Sequence, residues 1–310
     1  MKVLETLENI KIKNPVVTVG IFDGVHKGHQ KIIARINQVA REMNGESVLL
    51  TLWPHPRMVL NKDNTDLQFL TSPGEKECLI ELHGINNLIR LEFTRAFASM
   101  TSNEFIEQVL VKKIGLKYLI VGFNHQFGKD RQGSFEILKK EAANYHFGVE
   151  KLPPFLDNDV KLSSSYIRKL LQDGKVKAAN DFLGYHYFLQ GMVTGGSRIG
   201  RKIGFPTANI EPIMKTKLVP KDGVYAVKVE VRGKKYNGML NIGFRPTINT
   251  PDPRRTQEVH IFNFNDEIYG EKIMIAYIKR IRDEVKFNTI DELKSQLTSD
   301  MEASLAALNT

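Results

Sequence analysis

VVTVGIFDGVHKGHQKI, residues 16–32, joins an apolar β-rich run to an amphipathic pattern through a Gly/Asp turn. The run spans Val16–Phe22, Asp23-Gly24 makes the turn, and apolar residues then recur at helical spacing from about Lys27 to Met43. The same punctuation repeats downstream. SVLLTLW (47–53) is a second buried run, stopped by PHP (54–56), and KYLIVGF (117–123) a third, with a further strand expected near 148–152. Helical patterns are expected near 75–84, 102–114 and 135–145, and a Ser-capped helix over 163–171. Strand–helix alternation of this kind predicts a parallel sheet covered on both faces.

From Tyr185 the texture changes. YHYFLQGMVT, GVYAVKVEVRG, KKYNGMLNIG, EVHIFNFN and EKIMIAYIKRIR are short runs separated by Gly, Asn, Asp and Pro. They predict a small closed antiparallel β-barrel, with one terminal helix over Ile290–Leu308 packed on it. The expected boundary falls near Gly184, giving domains 1–184 and 185–310. A chain of 310 residues matches a prior of two domains.

Composition narrows the class. Hydrophobic residues make up 42% and charged residues 25%, which excludes a disordered tail or a low-complexity linker. The single Cys78 excludes a disulfide framework and a cysteine-rich zinc site. No apolar stretch approaches the roughly 20 residues that cross a bilayer, and MKVLETLENIKIKNP lacks the apolar centre of a signal peptide. These readings predict a cytoplasmic protein without a membrane partner. The net charge of +9 raises nucleic acid as a partner. It is spread as +4 over 1–184 and +5 over 185–310, without a basic arm, which favours solvated surface charge or affinity for small polyphosphates.

Two segments carry chemistry. His26 and His29 stand three apart at the expected start of a helix, with both imidazoles on one side of its first turn. Gly28 between them leaves room for a ligand to approach the backbone, and a helix N-terminus suits phosphate. A polar surface histidine, or an HxxH metal pair without an obvious third ligand, are the plainer readings. In GGSRIGRKIGFPTANI (195–210), Arg201 and Lys202 stand where a P-loop needs Lys and Ser/Thr, so the segment is not a P-loop. Its backbone amides still suit phosphate. Thr207 and Asn209 project to one side of an extended segment and offer neutral oxygen ligands suited to phosphate-bound Mg²⁺. A Pro-Thr turn with an Asn cap is the plainer reading there. Glu258 shares a strand face with His260 and Phe262 in EVHIF (258–262).

GIFDGVHKGH resembles the nucleotidyltransferase signature, in the version found in bacterial bifunctional riboflavin kinase/FMN adenylyltransferases (FAD synthetases). WPHPR (53–57), VGFNHQFGKDRQG (121–133) and LSSSYIR (162–168) follow in the order of that family's motifs. GxVxxGxxxGRxxGFPTAN resembles the riboflavin kinase signature, carried here by Gly191, Val193, Gly196, Gly200, Arg201 and Gly204–Asn209. GVYAV (223–227), NIGFRPT (241–247) and EVHIF resemble its later blocks. The second adenylyltransferase motif departs from the family's aromatic form, reading Asn124-His125-Gln126-Phe127-Gly128, and the family's SST is Ser163-Ser164-Ser165.

The resemblance implies a Rossmann-like nucleotidyltransferase domain followed by a riboflavin kinase barrel. It implies riboflavin, FMN, FAD and ATP as ligands and Mg²⁺ as the metal. His26 and His29 would hold the α-phosphate of one ATP, with Gly20, Phe22, Asp23, Gly28 and Asn124 around it, while Ser163, Ser164 and Arg168 receive the β- and γ-phosphates. Gly196, Gly200, Arg201 and Gly204 would bind the second ATP, Thr207 and Asn209 its Mg²⁺, and Glu258 would be the general base. His55 and Pro56 are candidate flavin contacts, although a turn-capping role fits His55 equally. Two other classes compete. One is a tRNA- or RNA-interacting protein of nucleotidyltransferase fold, which the absence of a KMSKS-like lysine pair opposes. The other makes the barrel a passive flavin-binding module. A homo-oligomer is compatible with all three.

Overall fold

A computed structural model describes residues 1–60, 67–123, 128–129, 135–157, 160–195, 199–245 and 254–309. The chain divides into two compact units, Met1–Ser164 and Ser165–Thr310.

The first unit is built on a six-stranded sheet: β1 (Lys2–Leu4), β2 (Val16–Val19), β3 (Ser47–Trp53), β4 (Asn87–Glu92), β5 (Tyr118–Val121) and β6 (Gly148–Lys151). Their order is β1-β4-β3-β2-β5-β6, and every neighbouring pair is parallel. Parallel strands are buried on both faces, which is why they read as continuous apolar runs. Helix α1 (Lys27–Glu42) lies against β2, β3 and β5 and buries Ile33, Ile36, Val39 and Ala40. Two short segments follow β3: α2 (Pro56–Leu60) and α3 (Pro73–Leu82). The latter opens with a capping box between Ser72 and Glu75 and a proline at its start. Beyond β4 come α4 (Arg95–Ala98) and α5 (Ser102–Glu104), and α6 (Phe135–Tyr145) precedes β6.

Two expectations change here. The first strand ends at Val19 rather than Phe22, because the chain turns with positive φ at Phe22, Gly24 and Val25. The helix expected over 102–114 is α5 continued by a π-helix, Phe105–Ile114, closed by Gly115 at φ 75°. Its Phe105, Ile106, Val109, Leu110 and Ile114 still form the core with Val17, Val19, Val48, Leu50 and Leu119. Strands β1 and β4 carried no expectation.

A two-stranded ribbon, β7 (Leu156–Asp157) with β8 (Val160–Lys161), precedes α7 (Ser164–Gln172) and α8 (Val176–Leu183). In the second unit, β9 (Phe188–Thr194), β10 (Ala208–Pro212), β11 (Gly223–Val231), β12 (Lys234–Arg245), β13 (Arg254–Ile261) and β14 (Lys272–Arg282) close into an antiparallel barrel of order β10-β13-β12-β11-β14-β9. Its interior holds three buried tyrosines. Tyr187 donates to the Leu218 carbonyl at 2.6 Å, Tyr277 to Gln257 Oε1 at 3.0 Å, and Tyr225 to the Lys221 carbonyl. Each phenol keeps a partner, as burial requires.

The compact division falls ahead of the expected boundary near Gly184, and Asn180 supplies the reason. From α8 its amide donates to the Tyr277 carbonyl at 2.9 Å and its Oδ1 accepts the Tyr187 N–H at 2.7 Å. Terminal helix α10 (Ile290–Leu308), preceded by a one-turn α9 (Ile199–Lys202), packs Leu297 and Met301 against Phe205, Met239 and Phe262. Its Asp300, 1% exposed, takes a two-pronged ion pair from Arg282 at 2.8 and 2.7 Å. No helix among the described residues is long and apolar enough to cross a membrane.

Candidate functional site

In an open parallel sheet, ligands bind where the strand order reverses, outside the carboxyl ends of the strands. Here the order runs β4-β3-β2 in one direction and β5-β6 in the other, so the reversal lies between β2 and β5. The turn after β2 carries Gly20–His26. His26 is the N-cap of α1, and its Nδ1 accepts the His29 N–H at 3.3 Å. The two imidazoles stack at 3.7 Å between centroids and 15° between planes, and the Phe22 ring lies 4.8 Å from His29. Because His26 Nδ1 accepts, its proton sits on Nε2 when the ring is neutral. Burial, opposed by Asp23, brings the His26 pKa down to about 4. Burial together with the charges of His26 and Lys76 holds His29 well below its ordinary value. Burial thus favours the neutral form of both rings, in which each keeps one N–H.

The surrounding residues mainly shape this turn. Asp23, 3% exposed, spends its carboxylate on the Leu70 N–H (3.0 and 3.1 Å), the Thr71 N–H (3.0 Å) and the Thr71 hydroxyl (3.2 Å). It anchors the turn to residues 70–71. A Cβ on Gly28 would sit 3.2 Å from the His26 ring, and one on Gly20 2.9 Å from the Phe22 ring. Those glycines thus accommodate rings of the site itself. Ser164 Oγ donates to the Asp23 carbonyl at 2.9 Å, which brings Ser163-Ser164 to the turn. Arg168, on α7, donates to Ser165 Oγ at 3.3 Å. His55 Nδ1 accepts the Arg57 N–H at 3.1 Å, a turn cap, and Pro56 begins α2. Asn124, with His125 and Gln126, lies outside the described residues.

The second constellation is on the barrel. Gly196 lies outside the described residues; Gly200 lies in α9. The Phe205 N–H donates to the Gly200 carbonyl at 2.9 Å. A Cβ on Gly200 would collide with the Phe205 carbonyl, and Gly204 takes φ 87°. Glycine is needed at both positions to turn the chain into Pro206-Thr207. Thr207 Oγ1 then donates to Glu258 Oε2 at 3.3 Å. Sheet register places Asn209 opposite Glu258 on one side and Asn241 opposite it on the other. Directly paired residues share a face, so Glu258 stands between two carboxamides. Asn241 escaped the reading of the sequence, although it begins the quoted NIGFRPT block. Val259 and Ile261 point into the core.

Two cavities meet at Thr207. One, of about 310 Å³, is lined by Thr207, Asn241, Glu258 and His260 together with apolar Val285, Phe287, Leu293 and Leu297. The other, of about 270 Å³, is lined by Thr207, Pro206, Arg201, Asp266, Glu267 and Tyr269. Arg201 forms an exposed ion pair with Glu267 at 3.6 Å. A carboxylate lining a largely apolar chamber, beside a hydroxyl that also lines a neighbouring cavity bearing Arg201, Asp266 and Glu267, can take a proton from a hydroxyl guest facing a second ligand.

Residues 9–166 match the family described as FAD synthetase, and residues 183–308 the family described as riboflavin kinase. The chain is 39% identical over 291 residues to the bifunctional riboflavin kinase/FMN adenylyltransferase of Bacillus subtilis, covering 94% of this chain and 91% of that one. It is 34% identical over 304 residues to the protein of that name from Escherichia coli K12, covering 97% and 96%. A solved structure described as a macrolide-efflux protein from Streptococcus pneumoniae superposes with a TM-score of 0.88 at 36% identity, covering 97% of both chains.

Proposed function

The chain belongs to the bifunctional riboflavin kinase/FMN adenylyltransferases, and from that premise we propose which of its residues perform each reaction. As a member it phosphorylates riboflavin to FMN and adenylylates FMN to FAD, using ATP for both. We assign adenylyl transfer to residues 1–184 and the kinase to residues 185–310; the two family matches, over 9–166 and 183–308, support one activity in each half, with residues 165–184 packing as part of the barrel unit.

In adenylyl transfer an FMN phosphate oxygen attacks the α-phosphorus of ATP in line, and pyrophosphate leaves. Positioning and charge stabilisation carry such a step. His26 and His29, as stacked neutral donors, hold the α-phosphoryl oxygens. Ser163 and Ser164, brought to the turn, receive the β- and γ-phosphates. Arg168 is assigned to the same phosphates on the family pattern alone. Gly20, Phe22, Gly28 and Asp23 keep the shape of the turn.

In the kinase the ribityl 5′-hydroxyl gives its proton to Glu258 as its oxygen attacks the γ-phosphorus, and ADP leaves. The 310 Å³ cavity takes the flavin and the 270 Å³ cavity the nucleotide. The hydroxyl of Thr207 and the amide oxygen of Asn209 are neutral oxygen donors beside that carboxylate, a set that fits a magnesium already bound to phosphates. When bound, the ion neutralises phosphate charge. The observation that carries this reading is the hydrogen bond to Glu258, which lines the larger cavity, from Thr207, which lines both. The family membership supports flavins and ATP as the partners; we propose that they act in the cytoplasm and that nucleic acid plays no part, a reading with which the even spread of positive charge is compatible.

Incubation with riboflavin, ATP and magnesium, followed by chromatography, tests the assignment. The wild-type chain forms FMN and FAD. Glu258→Gln loses FMN formation by about 10²–10⁴-fold while binding riboflavin and converting supplied FMN to FAD normally. Unchanged kinase turnover in that variant refutes the role of Glu258.

A further inference from the structure

Lysines on helices ordinarily keep their ammonium in water. Lys76, on α3, is 5% exposed, and its ammonium donates to the Ile21 carbonyl at 2.8 Å. Neither reaction described above uses it. Ile21 opens the turn that ends at His26, and its carbonyl also accepts the Thr51 hydroxyl at 3.3 Å. The next residues are strained: Phe22 at φ 53° and Val25, a β-branched residue, at φ 33°. Such backbone persists only where its surroundings over-determine it. Here α3 and the segment before it do so. Leu70 and Thr71 hold the Asp23 carboxylate, the Gly24 N–H donates to Thr71 Oγ1 at 3.1 Å, and Lys76 holds Ile21. His26 follows this clamp directly as the N-cap of α1.

We propose that Lys76 is a positioning residue for adenylyl transfer, holding the Ile21 carbonyl so that the strained turn presents His26 and His29 to the α-phosphoryl group. This rests on those histidines being the adenylyl-transfer site. The groups facing Lys76 are Asp23 in the turn, Glu77 on its own helix, Arg90 on β4 and His29 on α1. Burial and Arg90 lower the Lys76 pKa, Asp23 and Glu77 raise it, and it stands at about 8. The clamp thus weakens as pH rises through that value. Below it, the same positive charge helps to keep His29 neutral.

FAD formation from FMN and ATP is measured between about pH 7 and 9.5 for the full chain, with riboflavin kinase turnover of each preparation as an internal control. The wild type loses kcat on an alkaline limb near pH 8. Lys76→Met lowers kcat about ten-fold or more at pH 7, leaves the ATP KM within about three-fold, and abolishes the limb, with kinase turnover intact. Lys76→Arg keeps a permanent charge and moves the limb out of range. A wild-type profile flat across this interval overturns the proposal. So does a Lys76→Met enzyme of normal turnover, or a variant whose turnover falls only with its loss of folded protein while the limb persists. His29→Asn separates the premise: normal FAD formation there refutes the histidine site, whereas loss there with an unaffected Lys76→Met refutes Lys76 alone.

Discussion

Acidifying the protein should destabilise its first unit through His26, and the size of the effect follows from the structure. The unfolded chain takes the proton near the ordinary value of 6.5, whereas the buried, stacked ring resists until about pH 4. Between those values the unfolded state binds more protons. Stability is therefore fully present above pH 6.5 and is lost as pH falls toward 4. At pH 5 the loss from His26 alone is about 2 kcal/mol, and about 3 kcal/mol once both states are protonated. The sole tryptophan, Trp53 at the end of β3, belongs to the first unit, so its fluorescence follows that unit in a urea titration. Carboxylates also titrate in this range, so the informative quantity is the difference between wild type and His26→Asn, which keeps a cap but cannot be protonated. That difference should shift by about 2 kcal/mol between pH 7.5 and 5. An equal difference at both pH values would refute the argument that burial keeps this imidazole neutral.

Two further changes probe the barrel. Gly200→Ala places a methyl against the Phe205 carbonyl, so it should displace the approach to Thr207 and destabilise the second unit by about 1–3 kcal/mol. In product chromatography it should abolish FMN formation and spare FAD formation from FMN. Asp300→Ala leaves Arg282 without its two-pronged partner on α10. That should cost about 3–5 kcal/mol, read as a lower melting temperature, and weaken riboflavin affinity, measured by quenching of flavin fluorescence, because both residues line the larger cavity.

The two architectures were legible because their patterns are physically distinct: doubly buried parallel strands leave solid apolar runs, whereas barrel strands such as Phe188–Thr194 bury alternate residues. Strand β4, NLIRLE, was hidden by Arg90 and Glu92, and three-residue β1 by its brevity. The helical texture of 102–114 gave its apolar face but not its π hydrogen bonding, since both windings bury the same side chains. In the sites, the HxGH spacing put two imidazoles on one side of a helix start, where the structure stacks them. Asp23 read as a ligand group because nothing local reveals that residues 70–71 claim its carboxylate. Lys76 was invisible for the opposite reason: a lysine in a charged helix looks solvated, and only the folded chain brings the Ile21 carbonyl to its buried ammonium. Asn241 becomes meaningful only through the register that sets it beside Glu258.

The helix pair ahead of the barrel bears on how such a polypeptide can be shortened. A chain beginning at Tyr185 would retain every group assigned to the kinase, yet it would forfeit Asn180, which satisfies the Tyr187 amide and the Tyr277 carbonyl. A free-standing riboflavin kinase cut from this chain would have to carry the helix that bears Asn180 along, or find other partners for those two backbone groups.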